Sequence, residues 1–224
     1  MFKRYAIFYT PTGRLAEWGA GWLGWDSASG MPLQTRTLAG LDVGHLTATP
    51  RKYGLHGTLK APFALAADAD REGLELAASH FARQHASFDA GPLGLRYENG
   101  FIAVRPLKDP PALRDFAGHA VRAFDHLRAP LSEADIARRR KARLNPRQDQ
   151  QMMVWGYPFI FNDFHFHLTL TGRVDAITAA QVIAALAPEM ADLLPQALRL
   201  DAITLMGEDS SGLFHQIHRY ALSG

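Results

Sequence analysis

Apolar and polar residues follow periods along this chain that mark out its elements. Residues 5–9, Tyr-Ala-Ile-Phe-Tyr, form a short aromatic and β-branched run that predicts a strand. After the turn Pro11-Thr12-Gly13, residues 14–22 read as a helix. Residues 25–49 are rich in Gly, Ser, Thr and Pro, which predicts a long loop with one short helix near 41–46. Residues 53–60 read as a strand that stops at Ala61-Pro62. Over 69–85, Leu74, Ala77, Ala78, Phe81 and Ala82 fall on one helical face. The runs 88–97 and 101–105 flank Glu98-Asn99-Gly100, and Asn-Gly between apolar runs predicts a hairpin because both residues tolerate positive φ.

Helical period returns over 111–127, with Leu113, Phe116, Ala117, Ala120 and Phe124 inward, and again over 131–144, beginning at the cap Ser132. Residues 148–155 extend this helical region. An aromatic stretch, 157–166, leads into a strand at 164–171, followed by a helix at 177–190. Strands at 197–206 and 213–221 then flank the turn from Gly207 to Gly212. The N-terminal residues lack the apolar core of a signal peptide, and no apolar run approaches the length needed to cross a bilayer.

The order of these elements repeats. His56-Gly57-Thr58-Leu59 and His167-Leu168-Thr169-Leu170 each lie on a strand that is followed by a helix and then by a hairpin, at similar spacing. This argues for a duplicated strand-helix-hairpin unit. Strand alternation sets His56, Thr58 and Lys60 on one face, and His165, His167, Thr169 and Thr171 on one face of the second strand. If a twofold axis relates the units, the polar faces share one cleft, with both histidines flanking one point.

Two imidazoles placed so can divide the work of opening a phosphodiester. One, neutral, takes a proton from the attacking water or hydroxyl, and the other, protonated, gives one to the leaving oxygen. The Thr58 and Thr169 hydroxyls are placed to donate hydrogen bonds to the non-bridging oxygens. His56, His167, Thr58 and Thr169 are therefore the candidate catalytic residues. Tyr53, Lys60 and His165 are candidate substrate contacts, although Lys60 is equally read as a solvated strand end and His165 as a structural residue. The scheme needs no metal and no cofactor.

Composition narrows the picture further. The 224 residues suit a single bilobal domain: a first lobe over about 1–108, a helical insertion over about 110–156 and a second lobe over about 157–224. Hydrophobic residues make up 47% and charged residues 21%, the balance of a globular enzyme. A net charge of +2 permits an anionic substrate without demanding nucleic acid. The absence of cysteine excludes disulfides, thiolate nucleophiles and cysteine zinc sites, and is compatible with a cytoplasmic location.

The paired His-x-Thr motifs resemble those of the 2H phosphoesterase superfamily. The segments from Arg51 to Phe63 and from Phe164 to Gly172 look more narrowly like a bacterial, DUF1045-like subfamily associated with phosphonate metabolism. The resemblance implies an α+β fold of two pseudo-symmetric lobes around a central cleft. It also implies a cyclic phosphodiesterase acting on a small sugar phosphate or nucleotide, such as a ribose 1,2-cyclic phosphate. Two rival readings remain open: a 2′,3′-cyclic phosphodiesterase or ligase for RNA ends, and a phosphate- or RNA-binding module without turnover. The first would use the basic run Arg138, Arg139, Arg140, Lys141 and Arg143 and the aromatic residues 155–161. The simpler reading of that run is a solvated helix face, and a flap over the cleft is the alternative. Gly19-Ala20-Gly21-Trp22-Leu23-Gly24 matches a dinucleotide-binding fingerprint but does not directly follow a strand, and Asp163, His165 and His167 form at most half a metal site.

Overall fold

In a computed structural model the described residues are 2–38 and 40–224. In chain order they form β1 (Arg4–Tyr9), α1 (Gly13–Leu23), β2 (Trp25–Asp26), β3 (Met31–Pro32), α2 (Val43–Leu46), β4 (Gly57–Phe63), α3 (Arg71–Arg83), β5 (Phe88–Asp89), β6 (Leu93–Glu98) and β7 (Phe101–Pro106). There follow α4 (Pro111–Ala123), α5 (Glu133–Arg140), α6 (Pro146–Trp155), β8 (Leu168–Thr169), α7 (Ala176–Leu193), β9 (Arg199–Leu200), β10 (Ala202–Glu208) and β11 (Phe214–Ala221).

Seven strands make one antiparallel sheet in the order β11-β10-β1-β4-β8-β7-β6. The two motif strands, β4 and β8, are neighbours at its centre. Hairpin β6–β7, which follows the first motif, pairs with β8, whereas hairpin β10–β11, which follows the second, pairs with β1. Each half of the sheet is thus built from both repeats. The β6–β7 turn is the expected Asn-Gly type, with Asn99 at φ 54° and Gly100 at φ 82°.

One face of the sheet carries the main core. Ile7, Leu59, Val104, Leu168 and Leu205 meet Trp22 of α1, Leu74 of α3, Leu113 and Phe116 of α4, and Val182 and Leu186 of α7. The fold is therefore α+β, with helices gathered on one face of an antiparallel sheet. The opposite face has only a small apolar group, Ala6, Phe8, Met206 and Phe214, with Tyr53 packed against it. Of the segment between the repeats, α4 belongs to the core. Helix α5, capped by Ser132 accepting from the Asp135 amide, has no fully buried residue and lies over the opposite face.

Three expectations need correction. The first motif strand begins at Gly57 and runs through Pro62 to Phe63, because β8 pairs with it only at Gly57 and leaves Pro62 with no ladder bond to supply on that side. The second motif strand shrinks from 164–171 to Leu168–Thr169. A 3₁₀ turn occupies Phe161–Asp163, and the amides of Leu170 and Thr171 both turn to the Ile102 carbonyl. Helix α7, 18 residues with a mean hydropathy of 1.2, is long and apolar enough to span a membrane by length and composition. Its stripe Ala179, Val182, Leu186 and Met190 is buried against the sheet, and its other side is tied down by hydrogen bonds from Trp18 to Glu189 and from Arg14 to Asp192.

Candidate active site

Gly57 of β4 pairs with Leu168 of β8. Continuing that antiparallel register by one residue each way sets His56 opposite Thr169 and Thr58 opposite His167. The four motif side chains then form a two-by-two patch on one face, related by a local twofold through the Gly57–Leu168 pair. The histidines occupy diagonal corners, and diagonal neighbours in such a ladder lie about 7–8 Å apart. The strands approach closely because residue 57 has no side chain: a Cβ there would lie 2.2 Å from the Phe166 ring.

Both rings are held alike. The Nδ1–H of His56 donates to the Gly54 carbonyl at 2.9 Å, and that of His167 donates to the His165 carbonyl at 2.7 Å, each two residues back. A carbonyl only accepts, so Nδ1 keeps the proton and Nε2 is left for chemistry in both. His56 Nε2 is 3.2 Å from Thr58 Oγ1. The His56 ring stacks on Phe8 at 3.9 Å between centroids.

The surroundings of the two rings differ. Burial against Phe8 pushes His56 down to about 4, the bond to Gly54 opposes that shift, and the positive charge of His167 adds to it. Burial also lowers His167, opposed by the His165 carbonyl and reinforced by Arg105 and His165. Arg105 falls opposite His167 when the Ala103–Thr169 and Val104–Leu168 register is continued. An anion between the rings favours their charged forms and raises both values. Phosphate affinity is therefore expected to be greatest at low pH, and to fall as pH climbs through the raised, bound-state values. Imidazole NMR titrations with and without inorganic phosphate check this; unshifted His56 and His167 curves would show that the anion does not lie between them.

A cavity of about 390 Å³ opens over this face. Of the sequence-predicted residues, Tyr53, His56, Thr58 and Thr169 line it, and His167 stands outside this wall on the β7 side, its ring 5.6 Å from Phe101. Tyr53 stacks on Phe214 at 4.9 Å and borders His56 at 5.4 Å.

Lys60 and His165 are placed differently from expectation. A bulge between the Ile7–Lys60 and Phe8–Thr58 pairs breaks the alternation, so Lys60 falls opposite Ile7 on the core face; it is only 3% exposed and donates to the Val121 carbonyl and to Asp125, each at 3.0 Å. The end of α4 takes the ammonium that alternation alone would leave to the cleft. Burial lowers Lys60 to about 8, with Asp125 opposing. Asp125→Ala strands that ammonium and is expected to cost about 3–5 kcal/mol of stability, measured by denaturant unfolding, whereas Lys60→Met removes the charge and costs less. His165 is exposed, with Nδ1 3.4 Å from an Asp109 oxygen, so its backbone carbonyl, not its ring, serves the site. Thr171 is 1% exposed and accepts from the Ile102 amide in the core.

Sequence reasoning missed Arg4, Phe8 and Arg105, and reached Tyr157 only as part of the aromatic stretch 155–161 offered for base stacking. Arg4, Phe8 and Tyr157 line the cavity, and Arg138 and Arg139 reach it from α5. Phe8 was detectable only with knowledge that β1 pairs with β4, where it lies opposite Thr58. The basic run is neither a uniformly solvated face nor a nucleic-acid stripe: Arg138 pairs with Asp135, Arg140 pairs with Asp149, and Arg139 points inward.

The glycine fingerprint lies inside α1, with Gly24 as its left-handed cap and Gly19 packed under Leu55, so it forms no strand-to-helix phosphate loop. Asp163 is occupied by Arg147, Gln148 and Gln151. Among the described residues no three His, Asp or Glu side chains gather as a metal would require.

The curated relatives include proteins named ribose 1,5-bisphosphate phosphokinase PhnN. The one from Janthinobacterium sp. (strain Marseille) is 34% identical over 240 residues, covering 99% of this chain and 51% of that protein. The one from Laribacter hongkongensis (strain HLHK9) is 30% identical over 219 residues, covering 96% and 51%. The chain spans about half the length of these relatives. Similar solved structures include a phosphoesterase at 15% identity and TM-score 0.46, covering 99% of both chains. Another is E. coli LigT complexed with NADP+, at 12% identity and TM-score 0.45 over the whole of both chains. The model of the family described as protein of unknown function (DUF1045) matches residues 58–215, most of the chain, and the chain belongs to that family.

Proposed function

We propose that this chain hydrolyses cyclic phosphodiesters of small sugar phosphates or nucleotides, with His56 and His167 as general acid and base. The supporting observation is the twofold repetition of one local geometry: each imidazole is fixed through Nδ1 to the carbonyl two residues back, and each is followed on the same face by a threonine. With a phosphodiester between them, one Nε2 takes a proton from the attacking water. The other, protonated, delivers its proton to the ring oxygen as the P–O bond breaks. Phosphoryl transfer keeps entering and leaving oxygens roughly in line, which donors on diagonal corners suit. The Thr58 and Thr169 hydroxyls donate to the non-bridging oxygens.

A phosphorylated pentose is the favoured substrate class, in keeping with the ribose phosphate kinase name of the relatives. Phosphonate metabolism is the proposed setting and the cytoplasm the proposed compartment. An RNA end is disfavoured, because the aromatic residues 155–161 are largely packed: Tyr157 lines the cavity, Phe161 holds the Arg122 guanidinium, and only Phe159, at 39%, is exposed.

Incubation with ribose 1,2-cyclic phosphate, 2′,3′-cyclic AMP and a cyclic-phosphate-ended oligonucleotide, with a chelator present, tests the proposal. Hydrolysis of the two small substrates that is insensitive to the chelator is expected. Binding without hydrolysis of any would leave a ligand-binding module instead, and loss of activity with the chelator would overturn the histidine-only scheme.

A further inference from the structure

The arginines around the cleft are not equivalent. Arg4 is held by both oxygens of Glu208, at 2.5 and 2.6 Å. Arg138 pairs with Asp135 at 2.5 Å, and Arg140 with both oxygens of Asp149 at 2.7 and 2.8 Å. Arg139 has no carboxylate partner among the described residues, and its Nε is buried without any hydrogen-bond partner. Its guanidinium lies over the Tyr157 ring at 5.5 Å from the centroid. The Nε of Arg219 is buried without a partner too, but its guanidinium is held by Asp201 at 2.6 Å, whereas Arg139 combines an unanswered buried donor with an unpaired charge, which is costly and calls for an explanation.

The position of Arg139 supplies one. With Arg4, Pro62 and Tyr157, it lines both the cavity that holds His56, Thr58 and Thr169 and a narrower neighbour walled by Lys60 and Trp155. It therefore stands where the two spaces join, on the insertion helix and not on the motif strands. A cyclic phosphodiester carries a single negative charge, and its two non-bridging oxygens already have the Thr58 and Thr169 hydroxyls and a protonated histidine to meet. The Arg139 fork is left for a different anion. We infer that the cleft takes substrates with two phosphoryl groups, in which Arg139 binds a phosphomonoester at the end of the molecule remote from the cyclic phosphodiester. A guanidinium presents paired N–H donors that match phosphate oxygens and cannot lose its charge, and Tyr157 holds its plane. This rests on the proposed reaction only for the group bound at the histidines; the second subsite stands on the burial and pairing of Arg139.

The test compares 2′,3′-cyclic AMP with the same nucleotide carrying a 5′-phosphate, using native protein and Arg139→Gln. The native protein is expected to favour the 5′-phosphorylated substrate in kcat/KM by a factor on the order of 10–100, expressed mainly in KM. Arg139→Gln is expected to bring that ratio close to one, and Arg139→Lys to restore part of it. Because the readout is a ratio within one preparation, partial loss of folded protein does not alter it. A ratio near one in the native protein, or one that survives the substitution, overturns the subsite. If the native protein hydrolyses neither nucleotide, the acid–base reading fails, and calorimetric binding of adenosine 5′-monophosphate still tests the subsite. Weaker binding to Arg139→Gln than to native protein supports it, and equal affinities overturn it.

Discussion

His56→Asn and His167→Asn are each expected to lower kcat on a cyclic phosphodiester by about 10²–10⁴-fold, the usual contribution of a positioned proton-transfer group. Asparagine suits the experiment because its amide can still donate to the Gly54 or His165 carbonyl that now receives Nδ1–H. The chain path around the site is kept while Nε2, the atom that carries the proton, is removed. KM should change much less than kcat. His56→Asn also gives up the stack on Phe8, so a modest fall in melting temperature accompanies it, whereas His167→Asn should melt close to the native protein. Because the two groups act on one event, the double variant should be little worse than the weaker single one. Steady-state kinetics and thermal melts on the same preparations check this. A near-normal kcat in either single variant would remove that histidine from the chemistry.

The second large effect is expected at Gly57, which carries no reactive group. A Cβ built there lies 2.2 and 2.3 Å from two carbons of the Phe166 ring, and Phe166 is only 2% exposed, so the ring has nowhere to go. Gly57→Ala must therefore move β4 away from β8. Overpacking of this kind costs about 1–3 kcal/mol. The consequence for activity is larger, because Gly57–Leu168 is the pair on which the registration of all four motif side chains depends. A misplacement of about 1 Å between reacting groups can cost roughly 10²-fold in rate. Phe166→Leu in the Gly57→Ala background should recover part of both losses by making room for the methyl group. Denaturant midpoints and kcat measured together decide the matter: a Gly57→Ala protein of native stability and rate would mean that the close approach of the strands does not set the distance between the histidines.

Local features were legible in the chain. The Asn99-Gly100 turn, the Ser132 cap and the helical faces of α3 and α4 depend on residues a few positions apart, and periodicity reads them directly. The two His-x-Thr units were legible because alternation sets each His and Thr on one face, and burial agrees, with Leu59, Phe166, Leu168 and Leu170 in the core. What alternation cannot supply is the neighbour across the ladder. That His56 falls beside Thr169, and that each hairpin crosses to the other repeat's side of the sheet, follow from pairings between residues far apart in sequence. Lys60 shows the same limit: a bulge in the β1–β4 pairing turns it from the face of Thr58 to the core face, where the end of α4 takes its charge. Arg138, Arg139 and Arg140 look interchangeable in the chain and are separated only by the carboxylates that reach two of them.

The division of labour between His56 and His167 is measured most directly by changing the leaving group. Native protein, His56→Asn and His167→Asn are assayed on 2′,3′-cyclic AMP, whose ring oxygen must be protonated as it leaves, and on bis(4-nitrophenyl) phosphate, whose phenolate leaves without a proton. If one histidine is the acid and the other the base, the variant lacking the acid should recover to within about tenfold of native on the aryl ester, while the variant lacking the base stays depressed on both substrates. Equal depression of both variants on both substrates, or equal recovery of both, would contradict the acid–base pair.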